Sequence, residues 1–182
     1  IFAIPKSTVM KVMKFGGTSV GKPHRMQEVA SLVTRDQEPK IVVLSALSGT
    51  TNALVEISNS LATGDRHGAK QQIDALFDHY KGFVEALLKS ESFLQKANGV
   101  LNEHFEFLNI ILKISFSEAL NKDILAQGEL LSTKLFSIYL EEINVDHVLL
   151  PALDFMTIDV HDEPQVGTIK VKLAQLLQKN KD

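Results

Sequence analysis

Cysteine is absent from the 182-residue sequence. The chain can therefore build no disulfide framework, no thiolate metal site and no thiol nucleophile. The six histidines show no HExxH motif or other metal-ligand spacing, so we predict no resident metal site. The lack of cysteine fits a reducing compartment, and we predict a cytoplasmic protein.

An excess of positive charge is absent as well. The 19 Lys and Arg residues and the 22 Asp and Glu residues are spread along the chain, which leaves a net charge of −3 and no basic stripe for a nucleic-acid backbone. Long apolar runs are also missing, because runs such as residues 41–44 are short and a membrane-spanning helix needs about 20 residues. We predict a soluble protein with neither a nucleic-acid nor a membrane partner.

The hydrophobic content of 45% is enough for one domain with a sizeable core. Met10 is a candidate natural start, which makes residues 1–9 either an artificial remnant or an upstream extension. The opening IFAIPKST lacks the charged and apolar segments of a secretory signal peptide. We therefore assign the folded domain to residues 10–182.

Two strand–loop–helix units open this domain. Residues 9–15 read as a strand that stops at Gly16-Gly17, and a helix follows from Pro23. Residues 40–45 read as a second, buried strand, followed by the loop SALSGTTN and another helix. Consecutive βα units predict an α/β fold with a parallel sheet, whose carboxyl edge carries both loops and is where such sheets bind ligands.

Apolar residues at helical spacing predict an all-helical insertion over about residues 65–122. Its two helices cover residues 68–88 and 100–120, with Asn98-Gly99 as the break between them. A third helix is predicted from Gly128 to about residue 143.

The remainder reads as a strand at residues 147–151, an exposed strand or extended loop at 155–160, and a helix from Gly167 with Ile169, Leu173, Leu176 and Leu177 as its buried stripe. We expect the sheet to be incomplete, because no further strand follows.

Two features of the first loop, KFGGTSVG, fit phosphate binding. Its glycines let successive backbone N–H groups approach an anion, and Lys14 adds a full positive charge just before them. The stretch is neither a Walker A loop nor a GxGxxG fingerprint, so a plain strand-ending turn remains an equal alternative.

Two further segments carry candidate polar groups. In SALSGTTN, Thr50 or Thr51 can act as a helix cap, and this interpretation is favoured for the loop in isolation. Two such loops side by side instead favour a shared anion site. In QGELLSTKLF, Glu129 stands at a predicted helix start, where it either complements the helix dipole or accepts a substrate ammonium group.

The stretches KFGGTSVG, VVLSALSGTTN and QGELLSTKLF closely resemble, in this order, the N-terminal part of the aspartate kinases. These enzymes belong to the amino-acid kinase family, and the resemblance covers about residues 10–182. It implies a three-layer α/β/α sandwich around a mainly parallel sheet. It also implies phosphoryl transfer from ATP, bound with Mg²⁺, to the side-chain carboxylate of L-aspartate, which gives 4-phospho-L-aspartate. This reaction is the first step towards lysine, threonine and methionine.

The resemblance also implies roles for individual residues. Lys14 stabilises the transferring phosphoryl group, and Gly16 and Gly17 donate backbone N–H groups to the ATP phosphates. Ser45 and Thr51 line the aspartate site, where Glu129 holds the α-ammonium group. Because the acceptor carboxylate is already a nucleophile, positioning and charge neutralisation matter more than a general base.

The sequence departs from the family pattern at two places. The segment DFMTID differs from the aspartate-containing stretch of many relatives, so no site residue is transferred from it. The later RGGSD-like motif, the nucleotide-base pocket and the regulatory ACT domains are missing. We therefore expect the N-terminal portion of a longer, homo-oligomeric enzyme, inactive or nearly so when alone.

Two other hypotheses remain open at the level of the sequence. One is another member of the family, acting on glutamate, acetylglutamate or a nucleotide. The helical insertion and the GELLSTK stretch argue against it. The other is a non-catalytic module that binds a partner or dimerises through apolar helix surfaces.

Overall fold

The structure is a computed structural model that describes residues 10–180. Residue 9, with which the first predicted strand begins, lies outside the described residues, as do residues 181 and 182. The chain divides into a larger unit that ends at Val145 and a smaller unit that begins at Asp146. The larger unit contains β1 (Lys11–Phe15), α1 (Gly17–Val20), α2 (Pro23–Val33), β2 (Lys40–Leu44), α3 (Thr50–Ala62), α4 (Arg66–Leu87), α5 (Glu91–Ile111) and α6 (Glu118–Glu142). The smaller unit contains α7 (Ala152–Phe155) and α8 (Val166–Lys179).

The sheet confirms the predicted βα units. Strands β1 and β2 pair in parallel, with Lys11 opposite Lys40 and Phe15 opposite Leu44. Side chains alternate between the two faces of a strand, so Phe15 and Leu44 pack towards the core while Val12 lies on the outer face. This arrangement brings the loops after β1 and β2 to the same edge of the sheet, as the sequence predicts.

Helices α3, α4, α5 and α6 pack against one another and enclose most of the core. An aromatic cluster joins α4 to α5, with the rings of Phe77 and Phe105 edge-to-face at 5.1 Å between centroids and those of Tyr80 and Phe105 at 6.0 Å. Such edge-to-face pairs contribute about 1 kcal/mol beyond the area they bury. The all-helical character predicted after α3 is therefore correct, and the helices pack on the first two βα units.

The predicted helix break at Asn98-Gly99 is wrong. Helix α5 runs through both residues, and the chain turns at residues 88–90 instead. A glycine inside a helix costs about 1 kcal/mol relative to alanine. Burial of Ala97 and Leu101 on the adjoining turns offsets this cost. The real turn is held by the Glu142 carboxylate, which accepts hydrogen bonds from the backbone N–H groups of residues 89 and 90 at 2.9 and 2.7 Å.

The predicted start of the third helix at Gly128 is also wrong. Helix α6 begins ten residues earlier at Glu118, and the Ser117 hydroxyl accepts the Leu120 N–H at 3.2 Å as its N-cap. The buried stripe that includes Ile124 and Leu131 is continuous through the glycine. Gly128 therefore lies inside the helix and does not begin it. Its small size instead permits a close approach of α6 to Ala46.

The smaller unit contains no strand at residues 147–151, so that prediction is wrong. Its apolar residues have the composition of a strand, but no strand in the described part of the chain pairs with them. Helix α7 ends at Phe155, and the extended loop that follows forms an isolated antiparallel bridge between Ile158 and Pro164. Helix α8 is confirmed, although the residues of its predicted buried stripe are only half-buried.

Within residues 10–180, no helix combines the length and the apolar character that crossing a membrane requires. The longest helix, α6, has 25 residues and carries charged side chains along its length, beginning with Glu118, Lys122 and Asp123.

Candidate functional site

The first loop begins where β1 ends and packs tightly on the second loop. Gly16 precedes the short helix α1, in which the N–H groups of Gly17 and Thr18 have no helical acceptor because they lie in its first turn. A β-carbon added to Gly17 would lie 2.9 Å from the carbonyl oxygen of Ala46. No atom lies within 4 Å of the equivalent point on Gly16. The loop is thus closed against its neighbour at Gly17 and open at Gly16.

The second loop joins β2 to α3. The Ser45 N–H donates to the carbonyl oxygen of Phe15 at 3.0 Å, which extends the β1–β2 ladder by one bond. Gly49, in the left-handed region at φ +87°, is the N-cap residue of α3. The prediction that Thr50 or Thr51 caps this helix is therefore wrong, because both lie in its first turn. Thr51 is exposed in the first turn of α3, while Ser45 is half-buried at the beginning of the loop.

Helix α6 is fixed to the second loop at two points. A β-carbon on Gly128 would lie 2.8 Å from Ala46 Cβ and 3.1 Å from Thr50 Cγ2, so only glycine permits this approach. One turn later, the Ser132 hydroxyl donates to the Ser45 carbonyl oxygen at 2.8 Å. The exposed Glu129 lies between these points. The helix-dipole explanation of Glu129 is wrong, because the residue is well inside α6 rather than at its start.

A buried hydroxyl pair lies behind the second loop. Thr50 Oγ1 and Tyr80 Oη are 3.0 Å apart, and both residues are almost fully buried. Burial raises the pKa of the Tyr80 hydroxyl, and the charge of Glu129 raises it further, while the hydrogen bond with Thr50 opposes the shift. The phenol therefore stays protonated at neutral pH.

Lys14 differs from its lysine neighbours in having no acidic partner. On the same sheet, Lys11 pairs with Glu38 and Lys40 pairs with Asp36. The Lys14 ammonium group is exposed and forms no ion pair or hydrogen bond with any residue between 10 and 180. Its charge is therefore available to an anionic ligand at the carboxyl edge of the sheet.

Of the sequence-predicted residues, Gly17, Ser45, Thr51 and Glu129 lie on three segments that contact one another. Gly16 lies beside Gly17 in the first loop, Lys14 lies on β1 just before it, and the Lys14 side chain forms no hydrogen bond with the others. The contacts that join these segments, and the bond of Tyr80 to Thr50 behind them, were not predicted from the sequence; the joining contacts involve Ala46, Thr50, Gly128 and Ser132. The sequence does carry a signal for Gly128 and Ser132. Small residues four positions apart lie on the same helix face, where they permit close packing.

The donor groups of this region suit phosphate better than a bare metal ion. Backbone N–H groups and an unpaired lysine attract anions, and α1 begins at the loop. Between residues 10 and 180, no three His, Asp or Glu residues come together as a ligand set for a metal. A divalent cation here would have to draw ligands from a bound phosphate group.

Two curated proteins show the relationship of the chain. It is 34% identical over 134 residues to lysine-sensitive aspartokinase 3 of Escherichia coli (strain K12), an alignment that covers 74% of this chain and 29% of that protein. It is 37% identical over 140 residues to chloroplastic aspartokinase 2 of Arabidopsis thaliana, covering 72% of this chain and 24% of that protein. The chain thus spans less than a third of the length of either relative.

Solved structures agree with the sequence comparisons. The structure of E. coli aspartokinase III in complex with aspartate and ADP matches with a TM-score of 0.76 and 28% identity, over 92% of this chain and 37% of that chain. Clostridium acetobutylicum aspartate kinase matches with a TM-score of 0.70 over 91% of this chain and 36% of that one. At 16% identity, this second match shows the fold alone.

These neighbours confirm the predicted α/β fold class. The family model for the amino acid kinase family matches residues 10–181, almost the whole chain. The sequence comparisons and the structure comparisons point to the same family as the three motifs and the contacts between them. The chain therefore belongs to the amino acid kinase family.

Proposed function

We propose that the protein containing this chain is an aspartate kinase, which transfers the terminal phosphoryl group of ATP to the side-chain carboxylate of L-aspartate. The product is 4-phospho-L-aspartate, at the head of lysine, threonine and methionine biosynthesis. The observation that carries the proposal is the contact of the three motif segments, through Gly17 with Ala46 and through Gly128 and Ser132 with the second loop. The aspartokinase relatives, one of them crystallised with aspartate and ADP, support the same assignment.

The first loop forms the phosphate side of the proposed site. The N–H groups of Gly16 and Gly17 bind phosphate oxygens of ATP, and the unpaired Lys14 ammonium neutralises negative charge on the phosphoryl group in transfer. The open space beside Gly16 leaves room for a phosphate to approach the backbone. Mg²⁺ arrives with the nucleotide and supplies further charge neutralisation when bound.

The second loop and α6 form the aspartate side. Ser45 and Thr51 contact the amino acid, and the exposed Glu129 carboxylate pairs with its α-ammonium group. A side-chain carboxylate oxygen attacks the terminal phosphorus, a new P–O bond forms, and the bond to the bridging oxygen breaks as ADP leaves. The acceptor is ionised at neutral pH, so no general base is needed, and catalysis depends on positioning.

Several whole-protein properties belong to the same proposal. We assign residues 10–182 to the N-terminal part of the kinase domain, with the helical insertion at about 65–122. The intact protein is proposed to be a cytoplasmic homo-oligomer. Since the chain spans less than a third of the two relatives, we propose that it is inactive when isolated and that the remaining kinase sequence completes the nucleotide site.

Hydroxylamine trapping of the acyl phosphate tests this function on the full-length polypeptide, expressed to its natural stop codon. With Mg-ATP, we expect hydroxamate from L-aspartate but not from L-glutamate or N-acetylglutamate. Lys14→Ala is expected to lower kcat by about 100-fold or more, because it removes a charge used in the transition state. Lys11→Ala is the matched control and should retain activity, because Lys11 is paired with Glu38 away from the loop. Hydroxamate from glutamate alone would reassign the substrate.

A further inference from the structure

Tyr80 connects the helical insertion to the second loop. Its ring is anchored in the aromatic cluster by Phe105, and its hydroxyl leaves this apolar surrounding to meet Thr50 at 3.0 Å. Both residues are shielded from solvent: Tyr80 is 0% exposed and Thr50 is 1% exposed. A hydrogen bond so fully shielded from water is costly to break, because each hydroxyl would then be buried without a partner.

Thr50 is enclosed between two helices of the larger unit. Tyr80, on α4, bonds to its hydroxyl, and Gly128, on α6, approaches its methyl group closely enough that a β-carbon would lie 3.1 Å away. Thr50 immediately precedes Thr51, and Gly128 immediately precedes Glu129. The two residues of the proposed aspartate site that lie on helices are thus each one position from the Thr50 contact.

We propose that Tyr80 is a positioning residue for the amino-acid substrate, whose hydrogen bond to Thr50 fixes the first turn of α3 against α6 and so sets Thr51 and Glu129 at the spacing that L-aspartate requires. This inference rests on the proposed function. It gives the helical insertion a part in substrate binding. The Tyr80 hydroxyl acts through Thr50 and does not contact the substrate itself.

The phosphate side does not depend on this bond. Gly17 contacts the second loop at Ala46, and Ser45 is held by the Phe15 carbonyl oxygen and by Ser132. Removing the Tyr80 hydroxyl leaves all of these contacts and the aromatic packing in place. The loss of affinity is therefore confined to the aspartate side. It raises KM for aspartate and leaves KM for ATP and kcat unchanged.

The test is steady-state kinetics of Tyr80→Phe in the full-length polypeptide, with hydroxylamine trapping as the assay. We expect KM for L-aspartate to rise about fivefold, the factor that corresponds to the net contribution of one hydrogen bond. We expect KM for ATP and kcat to stay within about twofold of the unmodified protein. The matched control is Tyr139→Phe, which removes the hydroxyl of the other tyrosine, on the half-buried part of α6 beside residues 89 and 90. It should change none of the three constants.

Changes on the other partner keep the test decisive if Tyr80→Phe does not fold. Thr50→Val removes the same bond and should give the same rise in KM for aspartate. Thr50→Ser keeps a hydroxyl and should restore most of the affinity. Two results would overturn the inference while leaving the proposed function intact. One is an unchanged KM for aspartate in both Tyr80→Phe and Thr50→Val; the other is a rise in KM for ATP equal to the rise in KM for aspartate. Failure of the unmodified protein to phosphorylate aspartate would overturn the proposed function and, with it, this inference.

Discussion

At the scale of single residues, the site depends on a glycine, Gly128, at a point where a side chain would not fit. Gly128 occupies the middle of α6, where alanine would be favoured by about 1 kcal/mol on helix propensity. The close approach of Ala46 and Thr50 explains the glycine, because any β-carbon would enter their van der Waals space. Glu129 is the next residue, so this contact and the Ser132 bond hold the turn of α6 that carries it beside the segment that contains Ser45.

Gly128→Ala should therefore destabilise the protein despite its better helix propensity. Overpacking at a tight contact costs about 1–3 kcal/mol, which outweighs the propensity gain of about 1 kcal/mol. The matched control is Gly99→Ala, inside α5, where nothing lies within 4 Å of the new β-carbon. That variant should gain up to about 1 kcal/mol. Urea-induced unfolding measures both changes, and equal stabilisation of the two variants would show that the α6 contact is loose.

At the scale of elements, the sequence predicts the periodic segments well and their ends poorly. Strands β1 and β2 were predicted because short apolar runs stop at glycine or at a serine-rich loop. Asn98-Gly99 was interpreted as a break and Gly128 as a helix start, whereas burial on the same helix faces outweighs their weak propensity and both helices run through. Tyr80 lies within the helix predicted for residues 68–88, but its hydrogen bond to Thr50, thirty positions earlier, leaves no periodic signal.

A buried polar pair, His104 and Gln127, joins helices α5 and α6, and it too was not predicted from the sequence. His104 Nδ1 lies 2.6 Å from Gln127 Oε1, and the Gln127 amide nitrogen donates to the Asp123 carbonyl oxygen at 3.0 Å. An amide oxygen only accepts, so Nδ1 carries the proton in the neutral ring. Nε2 is then a buried acceptor without a partner among the described residues. Gln127 precedes Gly128, which connects this pair to the turn that presents Glu129.

This pair makes stability depend on pH. Burial lowers the pKa of His104 from its ordinary 6.5, and Lys134 lowers it further, while the bond to Gln127 and the charge of Glu103 oppose the shift. The unfolded chain therefore takes up the proton first as pH falls. The contribution of neutral His104 is complete above about pH 6.5 and is lost progressively below it, down to the folded-state pKa.

We expect His104→Asn to flatten the pH dependence of the unfolding free energy between about pH 7 and about pH 5. The control, His67→Asn, changes an exposed histidine of α4 and should keep the original slope. Urea unfolding at a series of pH values, with matched ionic strength, gives the slopes. A slope that is unaffected by His104→Asn would place the acid sensitivity elsewhere.

At the scale of the whole molecule, one face of the sheet carries apolar side chains in contact with water. Val12 is 66% exposed and Val43 is 41% exposed, on adjacent strands. Parallel sheets in α/β proteins are normally covered on both faces. The aspartokinase relatives are more than three times as long as the part they share with this chain. An exposed apolar sheet face is therefore expected to drive association when the chain is isolated.

We predict that the isolated chain self-associates in a concentration-dependent manner, through the sheet face that contains Val12 and Val43. Replacing both with threonine keeps the β-branched shape and strand propensity while removing apolar surface, so the double variant should remain monomeric to higher concentration. Val55→Thr, on α3 at a position as exposed as Val43, is the control and should leave association unchanged. Light scattering after size-exclusion chromatography reports the mass of each. A monomeric chain at every concentration, or a control that acts as strongly as the double variant, would show that this face does not drive association.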